Sequence, residues 1–504
     1  MGGTPFARRW EEAAPMFEVN VSCRGIDCFV ELLGQERIAA VKQLAEVVHG
    51  LVGQRAIWNL NSTKSGGGVA EMLRSLLRYA RGLGVQVRWG VIEGPPEFFR
   101  ITKRLHNALH DSHGDGSPLG LEERVIYEQV MRDNIVALDA VIQPGDVVIC
   151  HDPQTAGLVP HLVERGIPVI WRCHIGHEDR GMDVDAGWEF LRKYLADVPL
   201  AVFSRESYAP IWLPRMRAVV LPPNIDPFSA KNQAMEEPAI RAILGHAGLI
   251  DDAGGGAGVF TRDDGSIGRV DRKAEVVRLG RAPSFDTPLV VQVSRWDRMK
   301  DPLGVLHGFA ALAKAQGAHG AQLVLAGPNV RSVADDPEGA GVLEEVEKAW
   351  RDLPDSLREL VDLVQLPTVD NEENAAMVNA LQRHATVIVQ KSLREGFGLT
   401  VTEAMWKRRP VVASAVGGIQ DQIRDGIDGL LVHDPLDTQE FGRVLERVLT
   451  DHELAARLGE AGHTRVREHY LSIAALEHWA ELVRLLFGVK QPLTAAAAAP
   501  SNAA

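Results

Sequence analysis

The chain has 504 residues, of which 45% are hydrophobic and 24% are charged, and its formal net charge is −13 at pH 7. This length exceeds what one hydrophobic core usually supports, so we expect two folded domains. The negative charge argues against nucleic acid or an anionic membrane as the main partner. Local positive groups must therefore hold any ligand that carries phosphate.

The sequence predicts neither a membrane span nor a secretory signal. No apolar stretch approaches the roughly 20 residues that cross a bilayer. The first residues, MGGTPFARRWEEAAP, lack the apolar core of a signal peptide. Four cysteines (Cys23, Cys28, Cys150 and Cys173) are too few and too scattered for a disulfide framework. Cys23 and Cys28 could form half of a metal site, but no second half follows. We therefore expect a cytoplasmic protein.

Short and almost continuous apolar runs recur along the chain, and they predict parallel strands buried on both faces. The runs are 55–61, 147–152, 168–174, 200–204 and 218–223, followed by 289–295, 321–327, 385–390 and 411–414. Helical segments separate them. In 69–83, for example, the apolar residues follow the i, i+3, i+4 spacing of one buried helix face. Strand and helix thus alternate in two series, which predicts an α/β protein with two open, doubly wound sheets.

The join between the two predicted domains falls near 222–232, where prolines and polar residues interrupt the pattern. We expect an N-terminal Rossmann-like domain over 1–225 and a C-terminal one over 226–470. A helix near 470–488 is expected to cross back onto the first domain.

Two further segments depart from the strand–helix pattern. Residues 251–285 are rich in Gly and Asp and lack a clear period, which predicts a surface insertion. The final stretch, 489–504, is dominated by alanine and is expected to be disordered.

A glycine-rich loop, NSTKSGGG, follows the first predicted strand and opens a helix. The glycines Gly66, Gly67 and Gly68 allow the backbone to approach a ligand closely, and a helix N-terminus offers N–H groups to it. A flexible turn explains the same residues equally well. The loop has neither the G-x-G-x-x-G of a dinucleotide site nor the Gly-Lys-Ser/Thr of a P-loop. This argues against NAD and ATP as cofactors.

A charged loop, VSRWDRMKDP, follows the first strand of the second series. Arg295 and Lys300 could neutralise a diphosphate there, Arg by its planar fork and Lys as a point charge. A solvated charge cluster is the alternative reading.

The segment SLREGFGLTVTEAMW places Glu395 before a glycine turn and Glu403 one turn into a helix. The helix would begin after Gly398, with the N–H groups of Leu399 and Thr400 directed at an anion. Each carboxylate could accept hydrogen bonds from hydroxyl groups on one side of that anion. A nucleotide sugar has its parts in this order: sugar hydroxyls, diphosphate, ribose hydroxyls.

EGFGLTVTE resembles the E-x7-E signature of retaining GT-B glycosyltransferases of the glycogen synthase and sucrose synthase type, and VSRWDRMKD resembles their diphosphate clamp. Together with NSTKSGGGVAEML, ICHDPQ and WRCHI, these motifs are similar to trehalose synthases that transfer glucose from a nucleoside-diphosphate glucose. The resemblance runs from about residue 55 to 470. It implies a GT-B fold, that is, two doubly wound Rossmann-like domains facing a central cleft.

The resemblance also implies roles for individual residues. Arg295 and Lys300 would hold the diphosphate, Glu395 the donor glucose and Glu403 the ribose. The glycine loop would border the donor phosphate and the acceptor. Two further site residues are implied at strand ends: His174 would contact the transferred sugar, and Asp152 would bind the acceptor. A histidine at a strand end is more often a structural hydrogen-bonding group. Two such strand ends converging on one cleft favour a function.

The implied reaction forms trehalose from a nucleoside-diphosphate glucose and free glucose, with retention and in a reversible manner. No resident cofactor is expected, and no metal is expected to be required for the chemistry. Two alternatives stay open: a retaining trehalose phosphorylase that uses inorganic phosphate, and a non-catalytic module that binds nucleotide or sugar. A homodimer is possible. The sequence does not distinguish ADP, UDP and GDP as the donor nucleotide.

Overall fold

The computed structural model describes residues 17–64, 68–251, 256–332 and 338–488. It divides into two compact units. Of the described residues, the first unit comprises those up to Pro222 together with those from Leu476 onward, and the second comprises those within Pro223–Ala475. The division falls between Pro222 and Pro223, inside the segment 222–232. The predictions for Gly66, Gly67 and the 489–504 tail lie outside the described residues.

The first unit is built on one seven-stranded sheet. Its strands are β1 (Phe17–Glu18), β2 (Ile57–Asn61), β3 (Val87–Val91), β4 (Val147–His151), β5 (Val169–Arg172), β6 (Leu200–Phe203) and β7 (Ala218–Val220). Its helices are α1 (Val30–Leu33), α2 (Gln35–Val52), α3 (Gly68–Gly82), α4 (Pro96–Leu109), α5 (Leu121–Val141), α6 (Asp152–Thr155), α7 (Val159–Glu164) and α8 (Met182–Leu195). The strand order is β1-β3-β2-β4-β5-β6-β7, and only the edge strand β1 is antiparallel.

The second unit contains another seven-stranded sheet and a two-stranded hairpin. Its strands are β8 (Val259–Thr261), β9 (Ile267–Arg269), β10 (Glu275–Val277), β11 (Leu289–Val293), β12 (Gln322–Pro328), β13 (Val361–Leu366), β14 (Val387–Gln390), β15 (Val411–Ser414) and β16 (Leu430–Val432). Its helices are α9 (Glu237–Ala247), α10 (Pro302–Gln316), α11 (Gly339–Arg351), α12 (Asp355–Arg358), α13 (Asn371–His384), α14 (Leu399–Trp406), α15 (Ile419–Gln422), α16 (Thr438–Thr450) and α17 (His452–His469). The last helix, α18 (Ser472–Leu486), begins in this unit, and its residues from Leu476 group with the first unit.

The large sheet of the second unit has the order β10-β13-β12-β11-β14-β15-β16, in which only β10 is antiparallel. Without β10, this is the order 3-2-1-4-5-6 of a doubly wound nucleotide-binding sheet. The first unit follows the related order 2-1-3-4-5-6 once β1 is left out. The α/β prediction with two doubly wound sheets is therefore confirmed.

All nine predicted apolar runs contain strands. A strand covered by helices on both faces must be apolar throughout, which explains the central strands, whereas the edge strand β7 is partly exposed. The central strands β4, β5, β6, β14 and β15 are buried along their whole length. Each unit has its own core. In the first, Trp58, Trp171 and Phe203 are buried beneath α5 and α8; in the second, Trp296, Phe309 and Phe441 are buried around α10 and α16.

The expectation of a surface insertion over 251–285 is wrong for its later part. Glu275–Val277 forms β10, which pairs with β13 as the sheet edge. The hairpin β8–β9 is tied to the start of α13, where Arg262 binds Asp370 at 2.6 Å. Glu373, also in that first turn, accepts the backbone N–H of Asp271 at 2.7 Å. The strands β8, β9 and β10 have only three residues each, which is too short for a periodic apolar pattern to be recognised from sequence.

Candidate active site

Both sheets have a topological switch point, the place where connections leave neighbouring strands in opposite directions. In open α/β sheets, ligands bind beyond the carboxyl ends of the strands at this place. In the first unit it lies between β2 and β4 and in the second between β11 and β14, as the strand orders show. The four loops that leave these strands are those singled out in the sequence: the glycine loop, the loop with Asp152, the Arg295–Lys300 loop and the SLREGFG loop.

Lys300 and Glu395 are brought together at the switch point of the second unit. Their side chains form an ion pair although 95 residues separate them in sequence. Both are mostly shielded from solvent, and Ser392 also donates its hydroxyl to Glu395 at 3.3 Å. A cation and a carboxylate side by side can bind neighbouring parts of one ligand, the phosphate and the sugar hydroxyls.

The turn that carries Lys300 is held by groups that the sequence analysis missed. Gln292, buried in β11, donates its side-chain amide to the Lys300 carbonyl at 2.7 Å. Lys391, only 1% exposed, forms an ion pair with Asp301 and donates to the carbonyl of Pro435 at 2.6 Å. Asp301 in turn caps α10 by accepting the N–H of Gly304 at 2.9 Å. Lys391 therefore links the exit loop of β14 to the exit loop of β11.

The glycine turn after Glu395 has the backbone geometry that a helix start on a ligand requires. Gly398 has φ +86°, which L side chains rarely adopt, and α14 begins at the next residue, Leu399. Gln422 is fully buried and donates its amide to the carbonyls of Phe397 and Gly398. Because this side chain fixes the turn, the first N–H groups of α14, from Leu399 and Thr400, have a fixed direction.

Gly398→Ala is expected to impair the site more than it impairs the fold. A Cβ at this position would lie 3.1 Å from the Glu395 side chain, and the positive φ would cost about 1–2 kcal/mol. Gly426→Ala is the matched control, because Gly426 has φ +74° with no atom within 4 Å of the added carbon. We expect a loss of thermal stability in both variants and a lower activity only in Gly398→Ala. Equal activities of the Gly398→Ala and Gly426→Ala variants would show that Glu395 tolerates the contact with the added Cβ.

The other predicted residues of the second unit have protein partners. Arg295 has a half-exposed side chain and binds Asp297 at 3.2 Å in the loop that also carries Lys300. Glu403 is 4% exposed and forms an ion pair with Lys231 at 3.2 Å, a contact that the sequence analysis missed. A carboxylate can accept several hydrogen bonds, so this pairing leaves acceptor capacity on Glu403 for hydroxyl groups.

Asp152 and His174 converge at the carboxyl ends of β4 and β5. The Asp152 carboxylate accepts the backbone N–H of His174 at 2.8 Å. Asp152 has φ +63°, a left-handed conformation that is costly for a residue with a side chain and is concentrated at functional sites. Trp171 donates its indole N–H to the Asp152 carbonyl at 3.1 Å and so helps to hold this conformation.

The surroundings of Asp152 and His174 favour uncharged side chains. Burial raises the pKa of Asp152 to about 6, although the N–H of His174 and the charge of Arg172 oppose the shift. Burial, together with Arg172, holds the pKa of His174 well below its ordinary value. Arg172 itself is buried and donates to the Phe203 carbonyl at 3.0 Å, and burial lowers its pKa to about 10. His174 is therefore neutral near pH 7, while Asp152 is mostly ionised.

The activity is expected to fall below a pH of about 6 because protonation of Asp152 removes the negative charge that strengthens its hydrogen bond from the His174 N–H and its capacity to accept from substrate hydroxyls. The sign follows from the raised pKa: the ionised form dominates above 6 and is lost as the pH falls through 6. Asp152→Asn should lower kcat/KM and abolish this acid limb, since the amide does not titrate and tolerates the left-handed backbone.

The control is Asp139→Asn, which alters an exposed aspartate paired with Arg165 and His161. It should keep the acid limb of the kcat/KM profile. An unchanged limb in Asp152→Asn would assign the titration to another group.

Of the three glycines of this loop, only Gly68 lies among the described residues, where it begins α3. Its role, like those of the other predicted site residues, stays a prediction. Within the described ranges, no group of three or more His, Cys, Asp or Glu side chains is arranged to hold a metal ion. No helix of the described part is long and apolar enough to cross a membrane.

The two doubly wound sheets, with cationic and carboxylate groups at their switch points, define a glycosyltransferase of the GT-B class. Two family models match the chain: "Trehalose synthase, N-terminal domain" over residues 59–210 and "Glycosyl transferases group 1" over 281–465. A trehalose synthase of Pyrococcus horikoshii is 34% identical over 94% of this chain and 100% of its own length. The chain belongs to the trehalose synthase family and is thus a hexosyltransferase, which excludes the non-catalytic alternative.

Two further similarities are more distant. A trehalose phosphorylase of Pleurotus pulmonarius is 24% identical over 83% of this chain and 55% of its own length. The crystal structure of a UDP-forming α,α-trehalose-phosphate synthase from Burkholderia vietnamiensis superposes with a TM-score of 0.62 at 16% identity, covering 85% of this chain and 96% of that one. At this identity the structural match shows the GT-B fold alone.

Proposed function

We propose that this enzyme transfers glucose from a nucleoside-diphosphate glucose to free glucose and forms trehalose with retention of configuration. The observation that carries the proposal is the match to a trehalose synthase over 100% of that protein's length. The phosphorylase, at lower identity, is matched over only 55% of its length. Trehalose-related glycosyl transfer is shown by the family; the donor and the stereochemistry are the proposed part.

The ion pair of Lys300 and Glu395 suits the donor end of this reaction. In the proposed complex, Lys300 and Arg295 bind the diphosphate, and Glu395 accepts hydrogen bonds from the donor glucose. The helix N-terminus at Leu399 and Thr400 adds further N–H groups for the phosphate. Glu403 accepts from the ribose hydroxyls while it keeps its contact with Lys231. In the first unit, Asp152 would bind the acceptor glucose and His174 would contact the transferred glucose.

The chemical step is proposed to occur on one face of the donor sugar. The bond between glucose C1 and the phosphate oxygen breaks, and a bond from C1 to O1 of the acceptor glucose forms. The proton of the acceptor 1-hydroxyl passes to the departing phosphate oxygen, so that nucleoside diphosphate leaves and no external base is needed. The enzyme contributes positioning and stabilisation of charge on the leaving group. No protein nucleophile is invoked, since Glu395 is committed to sugar hydroxyls. No metal and no resident cofactor are assigned a role.

A single assay tests the proposal. The purified protein is incubated with glucose and, separately, ADP-, UDP- or GDP-glucose, and the product is resolved by chromatography with and without trehalase. We expect a trehalase-sensitive product with at least one donor, which also identifies the nucleotide. If no donor yields trehalose, and trehalose plus inorganic phosphate instead releases glucose 1-phosphate, the enzyme is a phosphorylase.

A further inference from the structure

His151 is a buried residue next to the site that no role described so far requires. It is the last residue of β4, and its side chain is 1% exposed. Its Nδ1 lies 3.0 Å from Nε2 of His174, and its Nε2 lies 3.1 Å from Oδ1 of Asn59. The two imidazole rings are nearly parallel, with an interplanar angle of 10°. Asn59, His151 and His174 therefore form one chain of hydrogen bonds from inside the sheet to its carboxyl edge.

The direction of this chain follows from the chemistry of its members. Burial and the charge of Arg172 lower the pKa of both imidazoles, of His151 to about 3, so both rings are neutral near pH 7. A neutral imidazole has one N–H donor and one acceptor nitrogen. Because the Asn59 oxygen only accepts, His151 carries its proton on Nε2 and accepts at Nδ1. His174 must then donate from Nε2, which leaves a lone pair on its Nδ1.

The Nδ1 of His174 is the last atom in this chain of hydrogen bonds. Among the residues that the structure describes, none is hydrogen-bonded to this nitrogen, and His174 is partly exposed beside the switch point. Its backbone is held separately by Asp152. A lone pair at a fixed position can accept a hydrogen bond from a hydroxyl group, but it repels another acceptor.

We propose that His151, oriented by Asn59, is a positioning residue that fixes His174 as the Nε2–H tautomer, so that Nδ1 of His174 accepts a hydrogen bond from a hydroxyl group of the sugar substrate. The sugar hydroxyl as ligand rests on the proposed function; the tautomer does not. The arrangement favours sugars with a free hydroxyl at this position, because an acceptor there would face the lone pair.

Two substitutions of His151 separate the positioning role from a general loss of packing. In His151→Asn, the shorter amide places an oxygen near the former Nδ1 and can still accept from His174. In His151→Gln, the amide lies nearer the former Nε2 and reaches Asn59 instead. We expect kcat/KM to fall about 10- to 100-fold in His151→Gln, as for the loss of one oriented hydrogen bond, and to recover in large part in His151→Asn. His161→Gln, which alters an outer histidine paired with Asp139, is the control and should match the wild type.

The tautomer is read directly from long-range ¹H–¹⁵N spectra of the full-length labelled protein, with the His174 signals assigned by their absence in His174→Gln. We expect a protonated Nε2 and an unprotonated Nδ1 in the wild type and in His151→Asn, and a mixture of tautomers in His151→Gln. A protonated Nδ1 in the wild type, or the wild-type tautomer in His151→Gln, overturns the proposal. This readout needs no turnover, so failure of the trehalose assay with the expected tautomers would refute the proposed function and leave the positioning role intact.

Discussion

Lys300→Ala is expected to lower kcat by about 10²- to 10³-fold, the effect of removing one preorganised group that stabilises developing charge. The ammonium group is held beside Glu395 at the switch point, and Gln292 and the Asp301–Lys391 pair fix the turn that carries it. In the proposed reaction, negative charge on the diphosphate grows as the C1–O bond breaks, so a fixed cation would bind the transition state more strongly than the bound donor. The loss should therefore appear in kcat and not mainly in KM.

The control is Arg298→Ala in the same turn. Arg298 has a mostly exposed side chain that pairs with Glu345 on α11, and its removal should leave kcat close to the wild-type value. Steady-state kinetics with the donor identified by the trehalose assay provides the measurement. Near-wild-type turnover in Lys300→Ala would contradict the assignment of Lys300 to the leaving group.

Lys391→Ala is expected to destabilise the second unit by about 3–5 kcal/mol, because it leaves the Asp301 carboxylate without its cation in a largely buried position. The Pro435 carbonyl loses its donor as well. The free energy of unfolding is measured by urea denaturation. Hydrogen exchange identifies which unfolding transition belongs to residues 289–414, and that transition is the one compared. Lys348→Ala is the matched control. It removes an exposed lysine that pairs with Asp352 at 2.7 Å on α11 and should change the free energy of unfolding by only a few tenths of a kcal/mol.

Asp301→Asn distinguishes the two roles of Asp301, because it removes the negative charge and keeps the oxygen that caps α10. The amide oxygen can still accept the N–H of Gly304, and Asn tolerates the left-handed backbone of residue 301, where φ is +49°. Combined with Lys391→Met, it removes both charges of the pair, so the double variant should be more stable than Lys391→Met alone. Additive losses in this double-mutant cycle would show that the pair does not contribute as a unit.

The strands that could be predicted were those whose burial on both faces requires an uninterrupted run of apolar residues. The run VVICHD is apolar because helices cover both faces of β4, and the same holds for β14 and β15. The strands β3 and β13 were missed. Each interrupts its apolar run with a charged side chain, Arg88 in β3 and Asp362 in β13. Both charges have partners distant in sequence: Arg88 pairs with Glu18 and Asp362 with Arg278 at 2.6 Å.

For the candidate site too, some features could be predicted from sequence and others could not. The loops of the site could be identified from sequence, because the glycine turn with two glutamates and the Arg295–Lys300 segment are local patterns. Only the tertiary structure showed that Lys300 pairs with Glu395, that Glu403 pairs with Lys231, and that Lys391 and His151 support their neighbours. A side chain's hydrogen-bond partners depend on which strands lie side by side in the sheet. The residues of one segment do not indicate which strands will be its neighbours. They do indicate whether the segment is buried, because a buried strand needs apolar residues along its own length.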